Sequence, residues 1–142
     1  MSTAELDAYL GAARTCRVAS VGTEGPHVTP LWFVWLGGAL WLYSLTRSQR
    51  WTDLVSDPRV AVVVDDGKDY GELRGVELRG AVTPVGEVPR TGAEEVPELT
   101  AVEAAFAAKY SGGQFGHDGR HAWLRLDPTK VVSWDFRKIA GD

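Results

Sequence analysis

The chain reads as a mainly β (α+β) protein: an antiparallel barrel of six or seven short strands with peripheral helices. Three observations predict it. Short runs rich in Val, Leu, Trp and Tyr recur between Gly, Pro and Asp punctuation, at strand length. Gly-containing turns join neighbouring runs, so consecutive strands pair as hairpins. Helical spacing appears in three places, at the start, after the third strand and late, rather than between every pair of strands.

The elements follow in order. Ala4–Ala13 is a helix: Ser2 or Thr3 can cap it, Glu5 and Asp7 lie early, and Leu6, Tyr9, Leu10 and Ala13 share a face. Thr15–Val21 is a strand, and Gly22 to Pro26 is a turn by composition. His27–Leu36 is a second strand. Its internal Pro30 implies an edge, a bulge or a kink. Its two apolar sets, Val28/Trp32/Val34 and Leu31/Phe33/Trp35, predict burial on both faces. Gly37-Gly38 makes a tight hairpin into Leu40–Leu45.

Ser48–Ser56 has Trp51, Leu54 and Val55 at helical spacing, and Asp57-Pro58 stops it. Arg59–Asp65 is a Val-rich strand, followed by a polar loop over 66–71. Val76–Val85 alternates, with Val76, Leu78 and Val82 facing one way and Glu77, Arg79 and Thr83 the other; Gly80 marks a bulge or a close backbone approach. A loop over 86–96 leads to a helix at Pro97–Tyr110, striped by Leu99, Val102, Phe106 and Tyr110. A Gly-rich stretch over 111–119 precedes two last strands, His121–Leu126 and Lys130–Phe136, divided by Asp127-Pro128. No repeat or domain boundary is visible across 1–142.

Composition narrows the function classes. With 142 residues, 44% of them hydrophobic and 24% charged, the chain suits one globular core. A net charge of −4 with scattered basic residues argues against a nucleic-acid partner. The single Cys16 cannot pair internally and reads as a small buried residue. No run is long and apolar enough for a membrane partner, and the N-terminus lacks the pattern of a signal peptide, so a cytoplasmic location is expected. His117 and His121 stand four apart, a metal spacing on a helix, but Gly116 and Gly119 disfavour a helix there; no metal site is expected.

The most informative stretch is Trp41–Val64. There an apolar strand runs into Thr46-Arg47-Ser48-Gln49-Arg50, and a helix follows. Free N–H groups and the positive dipole end of a helix favour an anion. Arg47 and Arg50 add guanidinium forks that suit phosphate oxygens, although both could instead be solvated charges offsetting Asp53 and Asp57.

With PHVTPLWF, LWLYSLTRSQRWTDLVSDPRVAVVV and VELRGAV in this order, the chain resembles the pyridoxamine 5′-phosphate oxidase-like split barrels, and within them the actinobacterial branch that uses F420 or FMN. The resemblance implies a homodimer with a cofactor site at each subunit interface. By position it places Arg50, Arg47 and Ser48 on the phosphate, and Tyr43, Ser44, Leu45 and Thr46 along the ring and ribityl tail. His27, Val28, Thr29, Pro30 and Leu31 fall on a neighbouring strand lining the ring, and Trp134 is a candidate from the partner. The spacing Arg47-Ser48-Gln49-Arg50 departs from the more compact basic tripeptide of relatives, which leaves the cofactor open; F420 ranks ahead of FMN, with Arg14, Arg17 and Arg59 as possible groove residues for its longer tail. The oxidases proper carry a longer C-terminal part, so their own activity is not expected here. The implied activity is hydride transfer to a small unsaturated or carbonyl-bearing molecule, with no catalytic acid or base identified. The alternatives are a non-catalytic FMN or F420 carrier, and a cofactor-free barrel that binds a small ligand or a partner.

Overall fold

The computed structural model describes residues 1–140. Its strands are β1 (Thr15–Gly22), β2 (Gly25–Leu36), β3 (Ala39–Leu45), β4 (Arg59–Asp66), β5 (Arg74–Val85) and β6 (His121–Asp135). The helices are α1 (Thr3–Ala12), α2 (Gln49–Ser56), α3 (Pro97–Tyr110) and the short α4 (Arg137–Ala140). The strands close a barrel in the order β1-β2-β3-β6-β5-β4, every pair antiparallel. The expected barrel is therefore present, with six strands.

Local chemistry explains the joins. Gly37 and Gly38 both take positive φ (62° and 74°), the backbone a two-residue hairpin matched to strand twist requires. Ser2 caps α1 through a reciprocal pair with Glu5. Asp127-Pro128 does not divide the last strand as expected. β6 runs through it because the β5 partner of Pro128 is Gly80, beside a register shift. A Cβ on Gly80 would lie 2.9 Å from the Asp127 carbonyl oxygen, so glycine gives the room the irregularity needs.

Two apolar layers share β3. Its even residues Leu40 and Leu42 join the barrel interior with Val18, Phe33, Val62, Leu78 and Leu124. Its odd residues Ala39, Trp41 and Tyr43 pack outward under Leu99, Val102 and Phe106 of α3. Each such side chain taken from water contributes roughly 1.5–3 kcal/mol. The strand buried on both faces is thus β3. In β2 the expectation fails: Val28 is 62% exposed, and Trp32, although one ring face stacks on Tyr110 of α3, is 47% exposed. Val55 is likewise exposed, while Trp51 and Leu54 of α2 are buried. Cys16 is fully buried, as its surroundings predicted.

One irregularity positions everything that follows. β2 pairs with β1 from Gly25 to Trp32, but with β3 only from Phe33 to Leu36. Beyond that point β2 and the Tyr43–Leu45 end of β3 diverge, leaving a seam in the wall. Pro30 lies in this stretch, where β2 has lost its β3 neighbour and is an edge.

Candidate functional site

At the end of β3 the chain turns into α2 over Thr46 to Ser48. Thr46 donates to the Arg120 carbonyl from both its N–H (3.0 Å) and its hydroxyl (3.2 Å), which ties this turn to the start of β6. Ser48 is the α2 cap: its oxygen accepts from the Trp51 N–H (3.1 Å) and its hydroxyl donates to the Leu45 carbonyl (2.8 Å). That hydroxyl is occupied by the backbone. Leu45, Thr46, Arg47, Ser48, Pro89, Gly119 and Arg120 enclose a cavity of about 510 Å³. Neither Arg47 nor Arg120 makes an ion pair among the described residues. Two unpaired guanidinium groups beside a helix start make this corner attractive to a phosphate.

Arg50 is not part of that lining. It is 7% exposed and turns into the seam, donating from Nε to Ser44 Oγ (3.1 Å) and from Nη1 to Thr29 Oγ1 (2.8 Å). Thr29 is on β2 and Ser44 on β3, so the guanidinium bridges the two diverging edges. Burial lowers its proton affinity. Asp53, whose charge Arg47 or Arg50 could have offset, is 5% exposed and is not an ion-pair partner of either. It accepts from Gln49 Nε2 at 2.7 Å, and His27 Nδ1 stands 3.9 Å away.

A second cleft of about 310 Å³ is lined by Leu31, Trp32, Tyr43, Phe106, Gly116, Asp118 and His121, so the Asp118–His121 segment contributes residues to both clefts. The Tyr43 ring stacks on His121 (4.7 Å, 16°) and meets Phe106, Phe115 and Trp123. Its hydroxyl is buried and has no hydrogen-bond partner among the described residues. Burial, helped by the nearby Asp118 carboxylate, pushes its ionisation well above that of a free phenol. His121 Nδ1 lies 2.5 Å from Asp118 Oδ2. Asp118 also accepts from the N–H groups of Arg120 (2.9 Å) and His121 (3.1 Å). Burial alone would raise the Asp118 carboxyl; these hydrogen bonds reverse the sign and hold it below the usual range.

The remaining residues singled out in the sequence scatter. Val28 and Pro30 are exposed on β2, and Leu31 reaches the aromatic cleft. Trp134 lies at the opposite end of β6, over Gly75, away from the β3–α2 corner of the same chain. Arg14 and Arg17 line a different cavity of about 740 Å³, and Arg59 is held by Asp57. That larger cavity is the poorer anion site, because it holds Asp65, Asp66 and Asp135, and its Arg74 and Arg137 are paired with Asp66 and Asp135. Arg120, Asp118, His121, Trp32 and Phe106 were not identified in advance. For Arg120, Asp118 and His121 the one sequence signal is the His-Asp-Gly-Arg-His run, which spacing alone offers only as a metal motif.

Comparison with known proteins agrees with this architecture. The family model described as pyridoxamine 5′-phosphate oxidase matches residues 2–135. A conserved hypothetical protein of Mycobacterium tuberculosis superposes with a TM-score of 0.82 at 29% identity, over 99% of this chain and 88% of that one. An F420 reductase superposes with a TM-score of 0.63 at 24% identity, over 89% of this chain and 94% of that one. The heme storage protein HutZ of Vibrio cholerae gives 0.71 at 14% identity, over 92% of each chain. No curated protein matches the sequence. The match over nearly the whole chain, on a six-stranded antiparallel barrel, shows that this protein belongs to the pyridoxamine 5′-phosphate oxidase family.

Proposed function

We propose that the protein is an oxidoreductase that binds a flavin or deazaflavin, FMN or F420, in the two clefts to which the Asp118–His121 segment contributes. One observation carries the reading: unpaired cationic groups, Arg47 and Arg120, line one cleft, Leu31, Trp32 and Tyr43 line another, and the Asp118–His121 segment contributes to both. A phosphorylated molecule with a flat ring has that polarity. Arg47, Arg120 and the free N–H groups at the start of α2 would hold its phosphate, and the aromatic cleft and seam its ring. Arg50 would act by holding the seam's edges at a fixed separation. When bound, the cofactor supplies hydride chemistry; the chain binds, orients and shields it.

Two arginines suit a single terminal phosphate. Arg14, Arg17 and Arg59, which would have to extend a basic track for a longer anionic tail, lie elsewhere. That charge distribution favours FMN over F420, reversing the order reached from sequence. F420 stays as the second reading because of the F420 reductase among the structural neighbours. The exposed Val28 and Trp32 beside the seam supply an apolar face that a second copy of the chain would cover, making the protein a homodimer.

Titration of purified protein with FMN and with F420, followed by cofactor fluorescence, tests the reading. Saturable binding is expected, weakened at least tenfold by Arg47→Ala or Arg120→Ala, the scale for one charged hydrogen bond. Failure to bind either cofactor overturns it.

A further inference from the structure

The hairpin from β1 to β2 encloses, with α2, a cavity of about 450 Å³ that shares no lining residue with the two clefts assigned to the cofactor. Its charge is the reverse of theirs. Asp53, His27 and Glu24 line it, and no Lys or Arg does. Asp53 is 5% exposed and has no lysine or arginine partner among the described residues. Its oxygens accept from Gln49 Nε2 at 2.7 Å and from the Ser20 hydroxyl only at 3.5 Å. A Cβ on Gly22 would lie 2.7 Å from Asp53 Oδ1, so glycine at the end of β1 makes the room in which this carboxylate sits. A carboxylate withdrawn from water is costly unless a positive charge accompanies it.

His27 Nδ1 faces the same gap. It is buried and has no hydrogen-bond partner among the described residues, and Asp53 Oδ2 at 3.9 Å is beyond hydrogen-bond reach. In neutral imidazole one ring nitrogen is an acceptor, so Nδ1 and the carboxylate can both receive from one donor. The 3.9 Å spacing selects that donor. A nitrogen at about 2.8 Å from both atoms sees them at roughly 90°, within the bend that ammonium N–H bonds tolerate. A zinc ion at about 2.1 Å from both would see them at roughly 135°, far from tetrahedral. Among the described residues no three His, Cys, Asp or Glu side chains stand together as a metal would need.

We propose that this cavity binds a small primary amine, its ammonium group held between Asp53 Oδ2 and His27 Nδ1. Gln49 holds the other carboxylate oxygen, Oδ1, and so fixes the direction of Oδ2. Glu24 adds negative charge to the lining, and Pro26 offers apolar surface to a short carbon chain. The site stands whether or not a cofactor occupies the other clefts.

Calorimetric titration with butylamine at low salt and about pH 8, where a free imidazole is neutral and an alkylamine still charged, tests the site. Wild-type protein should bind. Asp53→Asn keeps the shape and removes the charge, and should weaken binding at least about tenfold. His27→Phe removes the second acceptor and should weaken it several-fold. Tetramethylammonium has the same charge but no N–H donor, and should not compete. Butylamine should also raise the Tm of wild type and leave that of Asp53→Asn unmoved. No binding by wild type, unchanged binding in Asp53→Asn, or equal binding of tetramethylammonium overturns the proposal. Dissociation of an oligomer by butylamine, in wild type but not in Asp53→Asn, would put a lysine of a second copy in the cavity and overturn the free amine.

Discussion

Replacing Arg50 with Met distinguishes a structural tie from a cofactor ligand. The buried guanidinium makes two hydrogen bonds across the seam, to Ser44 and Thr29. Hydrogen bonds from a charged donor contribute roughly 1.5–3 kcal/mol each, so the gross loss is about 3–6 kcal/mol. Burying the guanidinium at 7% exposure has its own desolvation cost, which Met avoids. The net loss of stability should be about 2–3 kcal/mol, or roughly 6–12 °C in Tm for a chain of this size. Urea unfolding and thermal melting of cofactor-free protein measure it directly. A double-mutant cycle with Ser44→Ala should return a coupling of about 1 kcal/mol, since the two side chains touch. Wild-type stability in Arg50→Met, combined with collapse of FMN affinity, would refute the tie and restore Arg50 to the phosphate.

The other predictions concern the supports of the cleft. Glu103 takes two donations from Arg90 and one from Trp123 Nε1, and all three residues are buried. Glu103→Ala should cost about 3–5 kcal/mol in urea unfolding by stranding the Arg90 charge. Arg90 also holds the Glu87 carboxyl down at about 2, and Glu103 stays below the usual range although burial opposes it. Both carboxyls bind protons more readily when unfolded, so their contribution is complete above about 4.5 and is lost as pH falls toward 2. Arg90→Met should flatten unfolding free energy across that window. Burial pushes the Lys109 amine down to about 8, against 10.5 unperturbed. The unfolded chain then binds the extra proton, so stability should rise with pH between these values, and Lys109→Met should remove the rise in alkaline urea titrations. Gly75→Ala would place a Cβ 2.5 Å from the Trp134 ring, and melting should show a loss of about 1–3 kcal/mol.

The fold was legible where information is local, and the site was not, for a reason visible in particular residues. A hairpin is set by its own turn, so Gly37-Gly38 announced β2 and β3 without help. Alternation within a strand names two faces but does not say which one will be covered. That depends on where α3 lands, and α3 lands on β3 and the far end of β2. Hence β3, not β2, proved to be buried on both sides. Asp127-Pro128 looked like a break because the glycine that accommodates it, Gly80, is distant in sequence. The arginines show the same limit more sharply. Arg47 and Arg50 were grouped because they are close in the chain, yet one precedes the α2 cap and the other follows it. Their side chains part, one to the open cavity and one into the seam. The second cation at the cavity is Arg120, brought there by antiparallel pairing of β3 with β6. Charge at a strand-to-helix turn is thus a local signal that an anion is wanted, while the set of groups that answers it is settled by strand order.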